Sequence, residues 1–157
     1  MKPKYAEPTL ATNHKARRDY TVLESYEAGL ELKGTEIKSI RQHRVTIDDS
    51  FARIDGSQLF LYNMHISPYA QGGRYNVEPT RPRRLLMHRR EIERLGGLLS
   101  QQHVTLIPLR LYEKHGLAKI ELAVGKGKRV FEKRDRIRER EADREIQRRM
   151  RHDVRGR

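Results

Sequence analysis

The chain has 157 residues, with 34 Lys or Arg against 21 Asp or Glu, a formal charge of +13 and a pI near 10.3. It has no cysteine, which excludes disulfides and thiolate metal sites. It also lacks any run of about 18 apolar residues, so a membrane-spanning helix is excluded and nucleic acid becomes the polyanion best matched to so positive a field.

Residues 1–12 carry Pro3 and Pro8 and little periodicity, so they read as a flexible lead-in. They show neither the apolar stretch of a secretory signal nor a Met-Gly acylation site. With the missing cysteines this fits a cytoplasmic protein. Tyr20–Tyr26 (YTVLESY) is rich in aromatic and β-branched residues and predicts a strand, extended by Ala28–Leu32 past Gly29. Gly34-Thr35-Glu36 opens a short helix, with Thr35 the candidate N-cap and Ile37 and Ile40 facing inward. It ends near Arg41–His43.

Val45–Ile54 and Gln58–Met64 bracket the turn signal Asp55-Gly56-Ser57 and predict a hairpin. Both faces of the second strand are substantially apolar. Ser67–Pro82, with three prolines and two glycines, predicts a long loop of the kind that often carries function. Leu85–Met87 is a short apolar run. His88–Gln101 then places Ile92, Leu95, Leu98 and Leu99 on one helical face, although Gly96-Gly97 should each cost about 1 kcal/mol there. Val104–Tyr112 and Leu117–Val124 predict a closing hairpin, with Pro108 marking an edge or a bulge.

This order lacks βαβ alternation. It predicts a mainly β fold: a small antiparallel Greek-key barrel of the OB type with two to three accessory helices. The barrel is assigned to residues 13–128 and a basic tail to 129–157.

The last 32 residues hold 14 Lys or Arg against 7 Asp or Glu, leaving 20 basic against 14 acidic residues before them. They contain too little apolar surface for a core. Ile137, Ala142, Ile146 and Met150 nevertheless recur near one helical stripe. The tail is therefore expected to be loose when free and helical against a polyanion.

Catalytic and metal chemistry find little support. Asp48-Asp49 is the only adjacent acid pair outside the tail; strand neighbours diverge, so turn or capping duty is favoured over Mg²⁺ binding. The seven histidines show no metal-ligand spacing. Gly125-Lys126-Gly127-Lys128 followed by Arg129 lacks the Ser or Thr of a phosphate loop. It serves either as a phosphate contact or as a hinge before the tail. No cofactor is implied, and the pattern is that of a binding protein rather than an enzyme.

Three basic clusters remain as RNA-binding candidates. The first is His14 to Arg18, with Lys15, Arg17 and Arg18. The second is the arginine group around Leu85–Met87, including Arg83 and Arg84, beside Tyr69 and Tyr75. The third comprises Lys126, Lys128 and Arg129. Cations neutralise phosphates while flat rings and guanidinium planes stack on unpaired bases. Glu27 is either a solvated strand residue or an acceptor for guanine edges or a 2′-hydroxyl. A structural ribosomal or ribosome-associated protein is the alternative that composition leaves open.

Several runs occur together and in order: Asn13-His14-Lys15-Ala16, Tyr26-Glu27-Ala28-Gly29, Gly34–Arg41 (GTEIKSIR), His65–Tyr69 (HISPY), Arg83–His88 (RRLLMH), Gly125–Arg129 (GKGKR) and Glu132-Lys133-Arg134. With them the chain resembles the SsrA-binding protein (SmpB) family over roughly Asn13 to Arg140. The resemblance implies an OB-like barrel and a role in bacterial trans-translation. The barrel would bind the tRNA-like domain of tmRNA and enter stalled ribosomes with elongation factor Tu. The tail would occupy the small-subunit decoding centre and the mRNA channel.

Carried over by motif, Glu27, Leu86 and His88 meet the tRNA-like domain, with Asn13 and Lys15 near the same surface. Lys126 and Lys128 fall in the basic loop before the tail. Phe131, Lys133 and Arg134 head the decoding-site segment, which Arg136 and Arg138 continue. Family members usually carry Tyr or His in place of Phe131 and Asp in place of Glu132. A phenyl ring keeps base stacking and gives up the hydrogen bond.

Overall fold

The computed structural model describes residues 8–101, 103–128 and 140–151. In chain order it contains β1 (Thr9–Thr12), α1 (Ala16–Asp19), β2 (Tyr20–Leu30), α2 (Gly34–Arg41), β3 (Val45–Thr46), β4 (Phe51–Asp55) and β5 (Gln58–Tyr62). There follow β6 (His65–Ile66), a 3-10 turn at Gly73–Tyr75, β7 (Arg83–Leu86), α3 (Arg89–Gln101), β8 (Thr105–Lys114) and β9 (Leu117–Gly127). Residues 140–151 are helical.

Every pairing is antiparallel, and the ladder β8-β4-β5-β7-β2-β9 returns to β8, so the sheet closes on itself. Closure satisfies backbone edges that would otherwise template aggregation. This is the OB-like barrel with accessory helices that the sequence predicts. Its core is aliphatic: Leu59, Leu61, Leu85, Leu106, Leu111, Ile120 and Leu122 are all essentially inaccessible, joined by Ile40 from α2 and Leu95 from α3.

Turn chemistry sets the hairpins. β8 and β9 meet at His115 (φ 53°) and Gly116 (φ 73°), two consecutive left-handed residues whose twist matches the strands. Pro108 sits at a bulge, where the β8–β9 register shifts before Arg110. α3 runs unbroken through Gly96-Gly97 despite the cost expected of the two glycines. Ile92, Leu98 and Leu99 pack on the core beside Leu95 and offset that cost.

Three predictions need correction. The stretch Val45–Ile54 is two strands, because Ile47–Ser50 turns, with Ser50 N–H donating to the Ile47 carbonyl at 3.1 Å. Asp48 lies in that turn, the duty expected of it, and also accepts from the His14 N–H at 2.8 Å. Thr9–Thr12, assigned to the lead-in, is instead a strand that pairs with β8, and Leu10 is buried. The N-cap of α2 is Lys33, whose N–H donates to Glu36 at 2.9 Å, whereas the Thr35 hydroxyl donates to the Tyr75 carbonyl.

Candidate nucleic-acid interface

Strand alternation decides which side chains leave the barrel. In β2, Ala28 and Leu30 belong to the core, so Glu27 and Gly29 face outward. Glu27 stands opposite Glu121, and Gly29 opposite Lys119. On β8, past the bulge, Arg110 and Tyr112 project to the same side, with the Arg110 guanidinium 4.2 Å from the centre of the Tyr112 ring. The Tyr112 hydroxyl donates a short hydrogen bond to Glu27, and the Lys114 ammonium lies 3.4 Å from the same oxygen. The Tyr112 bond holds the Glu27 carboxyl below its ordinary value. Burial opposes that shift and Lys114 adds to it. Glu27 is therefore an ionised acceptor, half exposed and oriented by a buried phenol.

Glu27 lines a polar cleft of about 810 Å³ together with Asn13, His14, Arg17, Arg110 and Tyr112. Residues remote in sequence thus share one wall. Asn13 N–H donates to the Leu109 carbonyl and the Asn13 amide donates to the Pro108 carbonyl at 2.8 Å, docking the N-terminal loop on the bulge. The Asn13 side-chain oxygen accepts from Lys15 and Ala16 N–H groups, each at 3.1 Å, and starts α1. Asn13 is only 7 % exposed. It shapes the interface from beneath.

α1 carries Arg17 and Arg18, both exposed, to the end of β9. Lys128 N–H donates to the Asp19 carbonyl at 2.8 Å, and its ammonium donates to the Arg17 carbonyl at 3.0 Å. Lys126 pairs across the ladder with Thr21. Arg17 and Arg18 of the first basic cluster therefore form one cationic patch with Lys126 and Lys128 of the third. Lys15, at its margin, pairs with Asp49 at 3.0 Å and is half exposed.

On the other side of Glu27, Leu86 lies over Gly29, where an added Cβ would come 3.2 Å from the Leu86 Cβ. That contact requires glycine or a shifted leucine. Leu86 is 47 % exposed and borders an apolar groove of about 310 Å³ with Leu30, Leu32, Ile37 and Leu117. His88 is exposed just before α3, and its carbonyl accepts from Glu91 and Ile92. Arg84 points outward beside them.

Arg83 departs from the expectation. Its side chain is wholly buried, with Nε donating to Glu36 at 2.7 Å, Nη1 to the Met64 carbonyl at 2.6 Å and Nη2 to the Pro79 carbonyl at 2.9 Å. A guanidinium so engaged cannot reach RNA. It ties the 67–82 loop to the barrel, and Arg81 reinforces the tie through a short bond to Glu36.

Sequence reasoning missed Arg110 and Tyr112; their two-residue spacing in Leu109–Lys114 was the available signal. Arg129, Phe131, Lys133, Arg134, Arg136 and Arg138 lie outside the described residues. Over 140–151 the expected apolar stripe is present and open to solvent, with Ile146 52 % and Met150 64 % exposed.

A small closed barrel with an orienting carboxylate, a cationic patch and a basic extension defines a nucleic-acid-binding protein of the OB-like class. Comparison with known proteins narrows this. The family model described as SmpB protein matches residues 10–152. The SsrA-binding protein of Carboxydothermus hydrogenoformans is 57 % identical over 145 residues, covering 92 % of this chain and 97 % of that protein. That of Geobacillus thermodenitrificans is 55 % identical over 149 residues, covering 95 % and 96 %. A solved chain from a structure described as "tmRNA-SmpB: a journey to the center of the bacterial ribosome" superposes with a TM-score of 0.63 at 47 % identity, covering 74 % of this chain and 82 % of that one. The chain belongs to the SmpB family.

Proposed function

We propose that this protein binds the tRNA-like domain of tmRNA through its barrel and, as a non-catalytic adaptor, carries it to stalled ribosomes in the cytoplasm. The observation that carries this reading is the union of Glu27, the docked Asn13–Lys15 loop and the Arg17, Arg18, Lys126 and Lys128 patch on one side of the barrel. Phosphates meet the cations; an unprotonated carboxylate held by Tyr112 accepts from a base edge or a 2′-hydroxyl. Leu86 and His88 extend the contact beyond Gly29. Arg129 belongs with Lys126 and Lys128 in the RNA-binding set. Phe131, Lys133, Arg134, Arg136 and Arg138 act in the decoding centre and mRNA channel, and elongation factor Tu joins through the bound tmRNA.

The reading is tested by measuring affinity for a tRNA-like domain transcript with the whole chain, with Glu27→Gln and with a chain stopped after residue 128. The truncated chain should retain binding and lose peptide tagging on stalled ribosomes, while Glu27→Gln weakens binding itself. Equal loss of both activities on truncation would overturn the split between barrel and tail.

A further inference from the structure

We propose that the outer face of β4, β5 and β7 is a stacking platform for unpaired bases of the bound RNA, an inference that rests on the RNA-binding reading above. Cross-strand register carries it. Phe51 stands opposite Tyr62, Arg53 opposite Phe60, and Phe60 opposite Arg84. Their strand neighbours Ala52, Leu59, Leu61 and Leu85 are buried in the core, so all five side chains face out of the barrel. The Phe51 and Tyr62 rings are stacked, with centroids 5.5 Å apart and planes 17° from parallel. The Arg53 guanidinium lies 5.7 Å from the centre of each ring.

Two of the three phenylalanines in the whole chain thus sit on the outside of a barrel whose interior is aliphatic. Cross-strand aromatic pairs stabilise a sheet on their own account. That role explains neither the interleaved cations nor their lack of carboxylate partners: among the described residues no ion pair engages Arg53 or Arg84. A partner that satisfies both must present negative charge together with flat apolar faces. Nucleotides do, through phosphate and base. An acidic protein segment offers the charge without the flat faces. The platform is also placed to act with the site already described, because Leu86, the next outward residue of β7 after Arg84, is the one that covers Gly29 beside Glu27.

The experiment uses the full chain and two probes at about 0.1 M salt: a tRNA-like domain transcript, and an oligoadenylate of roughly ten nucleotides with 2-aminopurine at its centre. The wild-type protein should quench the 2-aminopurine by stacking. Phe60→Leu should weaken oligonucleotide binding by about tenfold and abolish the quench, leaving the slope of affinity against salt unchanged, since no phosphate contact is removed. Phe60→Tyr should restore both. Arg53→Met, at an exposed position that leaves the core undisturbed, should also weaken binding but reduce the salt slope by roughly one, because it removes a cation. Unchanged affinity and quench in Phe60→Leu and Arg53→Met overturn the platform. If the wild type binds the transcript but not the oligonucleotide, the platform alone fails. If it binds neither, the RNA-binding reading fails with it.

Discussion

Replacing Glu36 with glutamine should strip the fold of a large share of its stability while leaving RNA recognition in place. Arg83 is 0 % exposed and Glu36 is 3 % exposed. Removing the carboxylate leaves the guanidinium its carbonyl partners at Met64 and Pro79 but no counter-charge. An uncompensated charge buried in this way costs about 3–5 kcal/mol. A domain of this class has a total of only about 5–15 kcal/mol. At about 3–4 °C per kcal/mol for a domain near this size, the melting temperature should fall by about 10–20 °C. Thermal unfolding followed by circular dichroism measures the loss, and transcript binding well below the transition measures recognition. Joint replacement by Glu36→Leu and Arg83→Met should recover part of the loss, since it removes the uncompensated buried charge but leaves Arg81, the Lys33 N–H and the Met64 and Pro79 carbonyls without these partners. A destabilisation below about 1 kcal/mol would refute the buried-pair reasoning. Lost RNA binding in a folded Glu36→Gln protein would return Arg83 to the interface.

The same pair sets an acid limit. Burial alone would raise the Glu36 carboxyl, but the Arg81 bond, the Lys33 N–H and Arg83 outweigh it and hold the group below its ordinary value of 4.5. Its contribution is therefore present above that value and lost as pH falls through the lower folded one, so urea midpoints should drop in acid for the wild type and much less for Glu36→Gln. Affinity for the tRNA-like transcript should fall steeply with salt, and Lys128→Ala should reduce the logarithmic slope by roughly one. A flat salt response would remove the phosphate contacts from the account. Lys133→Ala with Arg134→Ala should spare transcript binding and impair tagging on stalled ribosomes; parallel loss of both counts against a separate role for the tail.

β2, the β4–β5 hairpin and the β8–β9 hairpin were legible because each couples a local signal to the period of two: aromatic and β-branched residues in Tyr20–Tyr26, Asp55-Gly56 at one turn, and Pro108 at the bulge. β1 was not. Thr9–Thr12 holds a single large apolar residue, Leu10, and its pairing with β8 depends on a strand about a hundred positions away. The site divides along the same line. Arg17, Arg18, Lys126 and Lys128 declared themselves by charge, but their meeting at α1 follows from ladder register that no local window contains.

Arg83 is the sharper case. Alternation in Arg83-Arg84-Leu85-Leu86 already puts Arg83 on the side of Leu85, facing the core. The desolvation cost of an arginine argues against that placement, and it is reversed by the Glu36 carboxylate, 47 positions earlier, together with the Met64 and Pro79 carbonyls. Charge counted along a sequence therefore measures how much cation a chain carries. How much of it reaches a phosphate depends on which acids the fold brings inside. Here Arg83 serves the core, while its neighbour Arg84 stays exposed on the outside of the barrel.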